Sequence, residues 1–152
     1  MSDTIFDKIA RKEIEAYIVW EDSQYMAFLT PFPNTPGYTI VIPKNNQGDY
    51  LFSIDDKQYH GLLEATKKVA LLLEKALKVK RVALVFEGTG VAYVHAKLIP
   101  LHGKLASQTG VWSEHTVFNK EYIGYITTVE GPKMDDTQLK AIQSKIISVQ
   151  KS

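Results

Sequence analysis

The chain of 152 residues contains no cysteine. Disulfides, a thiolate nucleophile and a zinc site built on sulfur are thereby excluded. Net charge is also scarce: eighteen basic residues against seventeen acidic ones leave +1. Nucleic-acid binding leaves a basic footprint, so no nucleic-acid partner is expected. No apolar run approaches the roughly 20 residues that a membrane span requires. Met1-Ser2-Asp3-Thr4 has neither a basic nor an apolar segment, so no signal peptide and no membrane association are expected. The expectation is a soluble, cytoplasmic protein. No internal repeat, linker or low-complexity segment interrupts it.

What is present suits one compact domain over residues 1–152, since 45% of the residues are hydrophobic and can supply a real core. Ile5 and Ile9, four apart, predict a short opening helix over Thr4–Ala10. Strands are predicted over Tyr17–Trp20, Tyr25–Leu29 and Tyr38–Ile42, with the polar turn Glu21-Asp22-Ser23-Gln24 between the first two. Pro31, Pro33, Asn34, Pro36 and Gly37 make a stiff loop before the third. From about Asp56 the period changes: Tyr59, Leu62, Thr66, Val69, Leu73, Ala76 and Leu77 form one stripe of a long helix ending near Val79. Val82–Phe86, apolar throughout, predicts a central strand, followed by a turn at Glu87-Gly88-Thr89-Gly90 and a strand over Tyr93–Ile99. The Gly103–Ser113 region reads as loop. A further strand over Tyr122–Val129 and a C-terminal helix with Leu139, Ile142, Ile146 and Val149 on its apolar face complete the reading. Clustered strands with few helices indicate α+β with an antiparallel sheet.

Tyr93-Val94-His95-Ala96-Lys97-Leu98-Ile99-Pro100 carries the chemistry. On a strand of period two, Tyr93, His95 and Lys97 share one side, expected to face solvent, while Val94, Ala96 and Leu98 point into a core. Groups that donate, accept and carry charge are what phosphoryl or acyl transfer needs. On these residues alone, a half-exposed strand with a polar outer face explains the pattern equally well. Gly88-Thr89-Gly90 can cradle a phosphate, but a hairpin turn needing positive φ explains it as well. His95, His102 and His115 match no standard metal spacing, so neither a metal nor a cofactor is expected. Ser107 and Ser113 with His115 lack the setting of a nucleophile elbow, and His60 reads as surface.

Asp3-Thr4-Ile5-Phe6-Asp7-Lys8-Ile9-Ala10-Arg11-Lys12-Glu13-Ile14, then Val19-Trp20-Glu21-Asp22, Met26-Ala27-Phe28-Leu29 and Pro36–Lys44, resembles the opening of the histidine-triad (HIT) family. That family includes nucleoside phosphoramidases and dinucleoside polyphosphate hydrolases. The similarity runs in order over about residues 3–102 and ends on the Tyr93–Pro100 stretch. It implies an α+β fold with a five-stranded antiparallel sheet, a long helix and a C-terminal helix, in a homodimer. The family's signature strand reads His-x-His-x-His, and its middle histidine, here His95, attacks the α-phosphorus. The resemblance places Ile5, Phe6, Ile9, Phe28, Leu29 and Thr30 around a nucleoside, and Thr89, from the glycine-containing turn, is counted with them as nucleotide-binding. The chain departs from the pattern at Tyr93 and Lys97, the outer signature positions, and at Tyr38, commonly a histidine. Thr30 stands where many relatives hold the ribose with aspartate, and Gly90 where some supply a serine.

The implied activity is a nucleotide hydrolase or transferase that cleaves a P–N or P–O bond at a nucleoside 5′-phosphate through a nucleotidyl-histidine. A catalytically impaired nucleotide-binding protein acting through partners is the alternative. Attack needs a neutral imidazole, which histidine's reference pKa of about 6.5 supplies near neutral pH. Lys97 would disfavour the imidazolium and stabilise phosphoryl oxygens, and Tyr93 would donate to phosphate or hold the His95 tautomer.

Overall fold

The structure, a computed structural model, describes residues 2–106 and 109–122, with Lys133, Asp135 and Thr137. The chain divides into two compact units, Met1–Thr109 and Gly110–Ser152, where the sequence reads as one domain. The first unit contains every element that follows. The strand expected over Tyr122–Val129 lies, beyond Tyr122, outside the described residues, as does nearly all of the C-terminal helix.

The chain opens with α1, Ile5–Ala10. Thr4 caps it: its hydroxyl accepts from the Asp7 amide at 3.2 Å, and the Asp7 carboxylate accepts the Thr4 amide at 2.7 Å. This reciprocal pairing satisfies orphan donors of the first turn. The buried face is Phe6 and Ile9, while Ile5 stays half exposed. Three strands follow, β1 (Tyr17–Glu21), β2 (Tyr25–Leu29) and β3 (Thr39–Pro43). Asp22 turns the chain between β1 and β2 by accepting the Gln24 and Tyr25 amides. A single 3₁₀ turn at Leu51–Ser53 leads into α2, Asp56–Leu77, whose N-cap Asp55 accepts from Gln58. Its buried stripe is Leu62, Ala65, Thr66, Val69 and Leu73. Lys78, in the left-handed conformation at φ 54°, ends it. Strands β4 (Val82–Glu87) and β5 (His95–Pro100) complete the sheet, and a 3₁₀ turn at Gly103–Ala106 follows.

All five strands pair antiparallel in the order β1-β2-β3-β5-β4. The α+β architecture expected from the sequence is therefore the observed one. Placement of the fourth strand differs. Val82–Phe86 reads as central because it lacks polar residues, but among the described residues β4 is an edge strand and Leu84 is 40% exposed. Continuous apolarity marks a strand covered on both faces in a closed sheet, and equally one whose edge and face await a partner. The middle of the sheet belongs to β3, which is buried from end to end.

Strand alternation sorts the interior into two layers. Ala27, Val41, Ala96 and Leu98 face α2 and pack with Leu62, Val69 and Leu73. Phe28, Ile40 and Ile42 face the other way and pack with Phe6 and Ile9 of α1. The functional side chains sit on this second, thinner layer.

Candidate active site

Strand β5 sets the geometry. Ala96 and Leu98 belong to the α2 layer, so His95 and Lys97 project to the α1 side, where Lys97 pairs with Ile40 of β3 and Val85 of β4. This face is not open to solvent as the sequence reading expects. The Phe6 ring meets His95 edge-on, with centroids 5.2 Å apart at 82°, and also contacts Phe28 and Tyr93. His95 is consequently 2% exposed.

A cavity of about 390 Å³ lies against this face, within the size range of small-molecule sites. Ile5, Phe6 and Ile9 from α1 line it, with Phe28, Leu29 and Thr30 at the end of β2, Thr89 and Gly90 after β4, and His95 and Lys97 from β5. Every expected site residue except Tyr93 thus borders one cavity. The Thr30 hydroxyl accepts the Phe32 amide at 3.2 Å, which shapes the loop above the cavity. Gly88 is required by its surroundings, because a Cβ there would lie 1.6 Å from the Asp49 carbonyl oxygen. Gly90, at φ 78°, takes the left-handed conformation, as the hairpin-turn reading anticipates.

The His95 ring has a defined tautomer. Its Nδ1 lies 2.7 Å from the Tyr93 carbonyl oxygen. A carbonyl can only accept, so Nδ1 carries the proton and the neutral ring bears its lone pair on Nε2. Burial pushes the His95 pKa below the ordinary histidine range, and the hydrogen bond to the Tyr93 carbonyl opposes that push. Both effects act on one buried ring, and burial prevails.

Tyr93 itself requires a correction. It lies before β5 rather than in it, is fully buried, and its hydroxyl donates to the Pro43 carbonyl at 2.5 Å. That hydroxyl reaches neither the cavity nor the imidazole. Burial raises its pKa far above the ordinary tyrosine value. Tyr93 does fix the His95 tautomer, but through its backbone carbonyl, a role open to any residue at that position.

Sequence reasoning missed Glu87. Assigned there to a turn, it is the last residue of β4, directly opposite His95, with its side chain 12% exposed. Its carboxylate contacts the Lys97 ammonium and lies 3.9 Å from His95 Nε2. Burial lowers the Lys97 pKa, while the adjoining carboxylate favours the charged ammonium. The available signal was a lone acid closing an apolar strand, legible only once strand register is known. Glu15, Tyr17 and Phe32 also line the cavity and were not anticipated. Two other histidines lie elsewhere: His102 bonds the Pro36 carbonyl at 2.8 Å, and His60, read as surface, is exposed on α2. Tyr38 is half buried against the α1-side core.

Comparison with known proteins identifies the family and the fold. The HIT domain family matches residues 11–103. An uncharacterized HIT-like protein of Borreliella burgdorferi is 41% identical over 75 residues, covering 49% of this chain and 53% of that protein. Another from Rickettsia prowazekii is 30% identical over 125 residues, covering 82% and 93%. The crystal structure of a HIT family hydrolase from Legionella pneumophila superposes with a TM-score of 0.56 at 27% identity, over 64% of this chain and 91% of that one. The chain belongs to the HIT family. Its fold is shared with proteins described as hydrolases.

Proposed function

We propose that this protein is a nucleotide hydrolase or transferase that cleaves a P–N or P–O bond at a nucleoside 5′-phosphate, using His95 as the nucleophile. The observation that carries the reading is the His95 ring: neutral through burial, with Nδ1 committed to the Tyr93 carbonyl and Nε2 left with its lone pair beside a nucleoside-sized cavity. Nε2 attacks phosphorus as the bond to the leaving group breaks, and the leaving group departs with the electron pair and takes up a proton. Water then attacks the same phosphorus, the P–Nε2 bond breaks, and the imidazole regains its electron pair. The water's proton passes to solvent. Lys97 offsets charge on the non-bridging oxygens. Phe6, Ile9 and Phe28 receive the base by apolar burial, and Thr30 stands near the ribose. With one hydroxyl already turned to Phe32, Thr30 holds a ribose diol weakly.

We propose further that the chain works as a homodimer. Leu63 and Ala70 of α2, with Val82 and Leu84 of β4 and Leu98 of β5, line an apolar groove beside the edge of β4, which is unpaired among the described residues. A second copy would cover both groove and edge.

A screen of nucleoside phosphoramidates, dinucleoside polyphosphates and adenylylated amines tests the reaction. Turnover of at least one, lost in His95→Ala with binding retained, is the expected result. One observation favours the non-catalytic alternative: the Lys97 ammonium is tied to Glu87 rather than free in the cavity. Nucleotide binding without turnover of any substrate would establish that alternative.

A further inference from the structure

The catalytic reading leaves one partly buried charge without a role. Glu87 closes β4 opposite His95, yet it is not part of the cavity wall. It sits behind the wall, in contact with the Lys97 ammonium and 3.9 Å from His95 Nε2. An unpaired carboxylate is costly to bury at this depth, so the position needs a reason. Lys97 supplies one half of it. A bare ammonium two residues from His95 on the same face would add a full positive charge beside the imidazole.

We propose that Glu87 is a positioning residue that pairs with Lys97 to form a charge-neutral unit, so that His95 titrates as though neither charge were present. The proposal rests on the hydrolase reading and deepens it: burial alone keeps His95 neutral, although a bare ammonium would favour the neutral ring further, and Lys97 stays at the cavity wall where phosphate would meet it. The pairing also holds the lysine ammonium against Glu87 at the cavity wall. The charges around the imidazole can be named element by element. Glu87 faces it from β4 and Lys97 from its own strand. From α1 it meets the uncharged Phe6 ring. Glu15 and Tyr17 stand on the cavity wall, on the segment that enters β1. The Tyr93 hydroxyl is committed to Pro43.

Opposite charges within a few ångströms favour a charged form and like charges disfavour it, which fixes the sign of each variant. Glu87→Gln leaves the ammonium alone and moves the His95 titration midpoint down. Lys97→Met strands the carboxylate and moves it up. In the double variant both effects vanish, and the midpoint returns close to that of the parent. The experiment is a histidine-ring NMR titration of the full chain without ligand, with His95 assigned by its loss in His95→Gln. Opposite shifts in the two single variants, cancelling in the double, are the expected result. Identical midpoints in all four proteins, or single variants shifting in the same direction, would overturn the proposal. Lys97→Gln serves if Lys97→Met does not fold, with the same sign expected. Titration needs no substrate, so absence of turnover would count against the hydrolase reading and leave this result standing.

Discussion

At the residue scale the account rests on what each side chain touches. Tyr93→Phe removes the hydroxyl that Pro43 accepts and leaves a buried carbonyl with one partner fewer. It should cost about 1–2 kcal/mol in urea unfolding. Its rate should stay near that of the parent, because the backbone carbonyl that orients His95 is kept. Equal loss of rate and stability would return Tyr93 to the catalytic set. Lys97→Ala should lower kcat by on the order of 10²–10³, the usual cost of one transition-state charge stabiliser. Acid should act through His95, whose folded pKa lies below its unfolded value. As pH falls below about 6.5 the unfolded chain takes up a proton that folded His95 resists. This group therefore contributes a loss of stability as pH falls toward the folded pKa. His95→Gln should flatten that part of a denaturation-versus-pH profile, and an unchanged slope would show that the loss comes from elsewhere.

At the element scale, α1 closes the site. Six residues could not hold as an isolated helix, and both the Thr4–Asp7 cap and the burial of Phe6 and Ile9 hold it. Thr4→Ala should cost about 1 kcal/mol. Phe6→Ala should cost about 3 kcal/mol and weaken nucleotide binding more than Thr30→Ala, since Phe6 contacts Phe28, Tyr93 and His95 together. Unchanged affinity in both variants, read by isothermal titration, would refute the pocket. This helix shows how far the sequence carries. The spacing of Ile5 and Ile9 gives the element, but the buried pair is Phe6 with Ile9, because the sheet rather than the helix decides which face is covered. Period two on β5 correctly puts His95 and Lys97 on one side. Tyr93 lies on that side too, packed against Phe6, but it precedes the strand, is buried rather than solvent-facing, and turns its hydroxyl to Pro43 of β3. Glu87 was hidden for a related reason: cross-strand partners depend on register, and the connection that sets it runs over residues 88–94 rather than over the turn at Glu87-Gly88-Thr89-Gly90 that the sequence suggests. Apolarity of β4 was legible and its place at the edge was not, since composition reports burial without saying what does the burying.

At the scale of the whole molecule, the apolar groove along α2 and β4 carries the dimer proposal. Leu84→Lys would place a charge on the exposed face of the edge strand, and sedimentation at tens of micromolar, an order-of-magnitude working concentration for a stable interface, should then report a monomer where the parent is a dimer. A parent that sediments as a monomer contradicts the proposal outright. Among the described residues no helix is long and apolar enough to cross a membrane, and the cavity is formed within the first unit. The central claim, that His95 carries the nucleotide through the reaction, has a direct test in intact-protein mass spectrometry. The protein is mixed with a nucleoside phosphoramidate and quenched in base within a single turnover. The account predicts a fraction of protein heavier by one nucleoside monophosphate, mapped to the peptide that contains His95 and absent from His95→Ala. Turnover that proceeds as fast in His95→Ala as in the parent, with no adduct at any time, would contradict it.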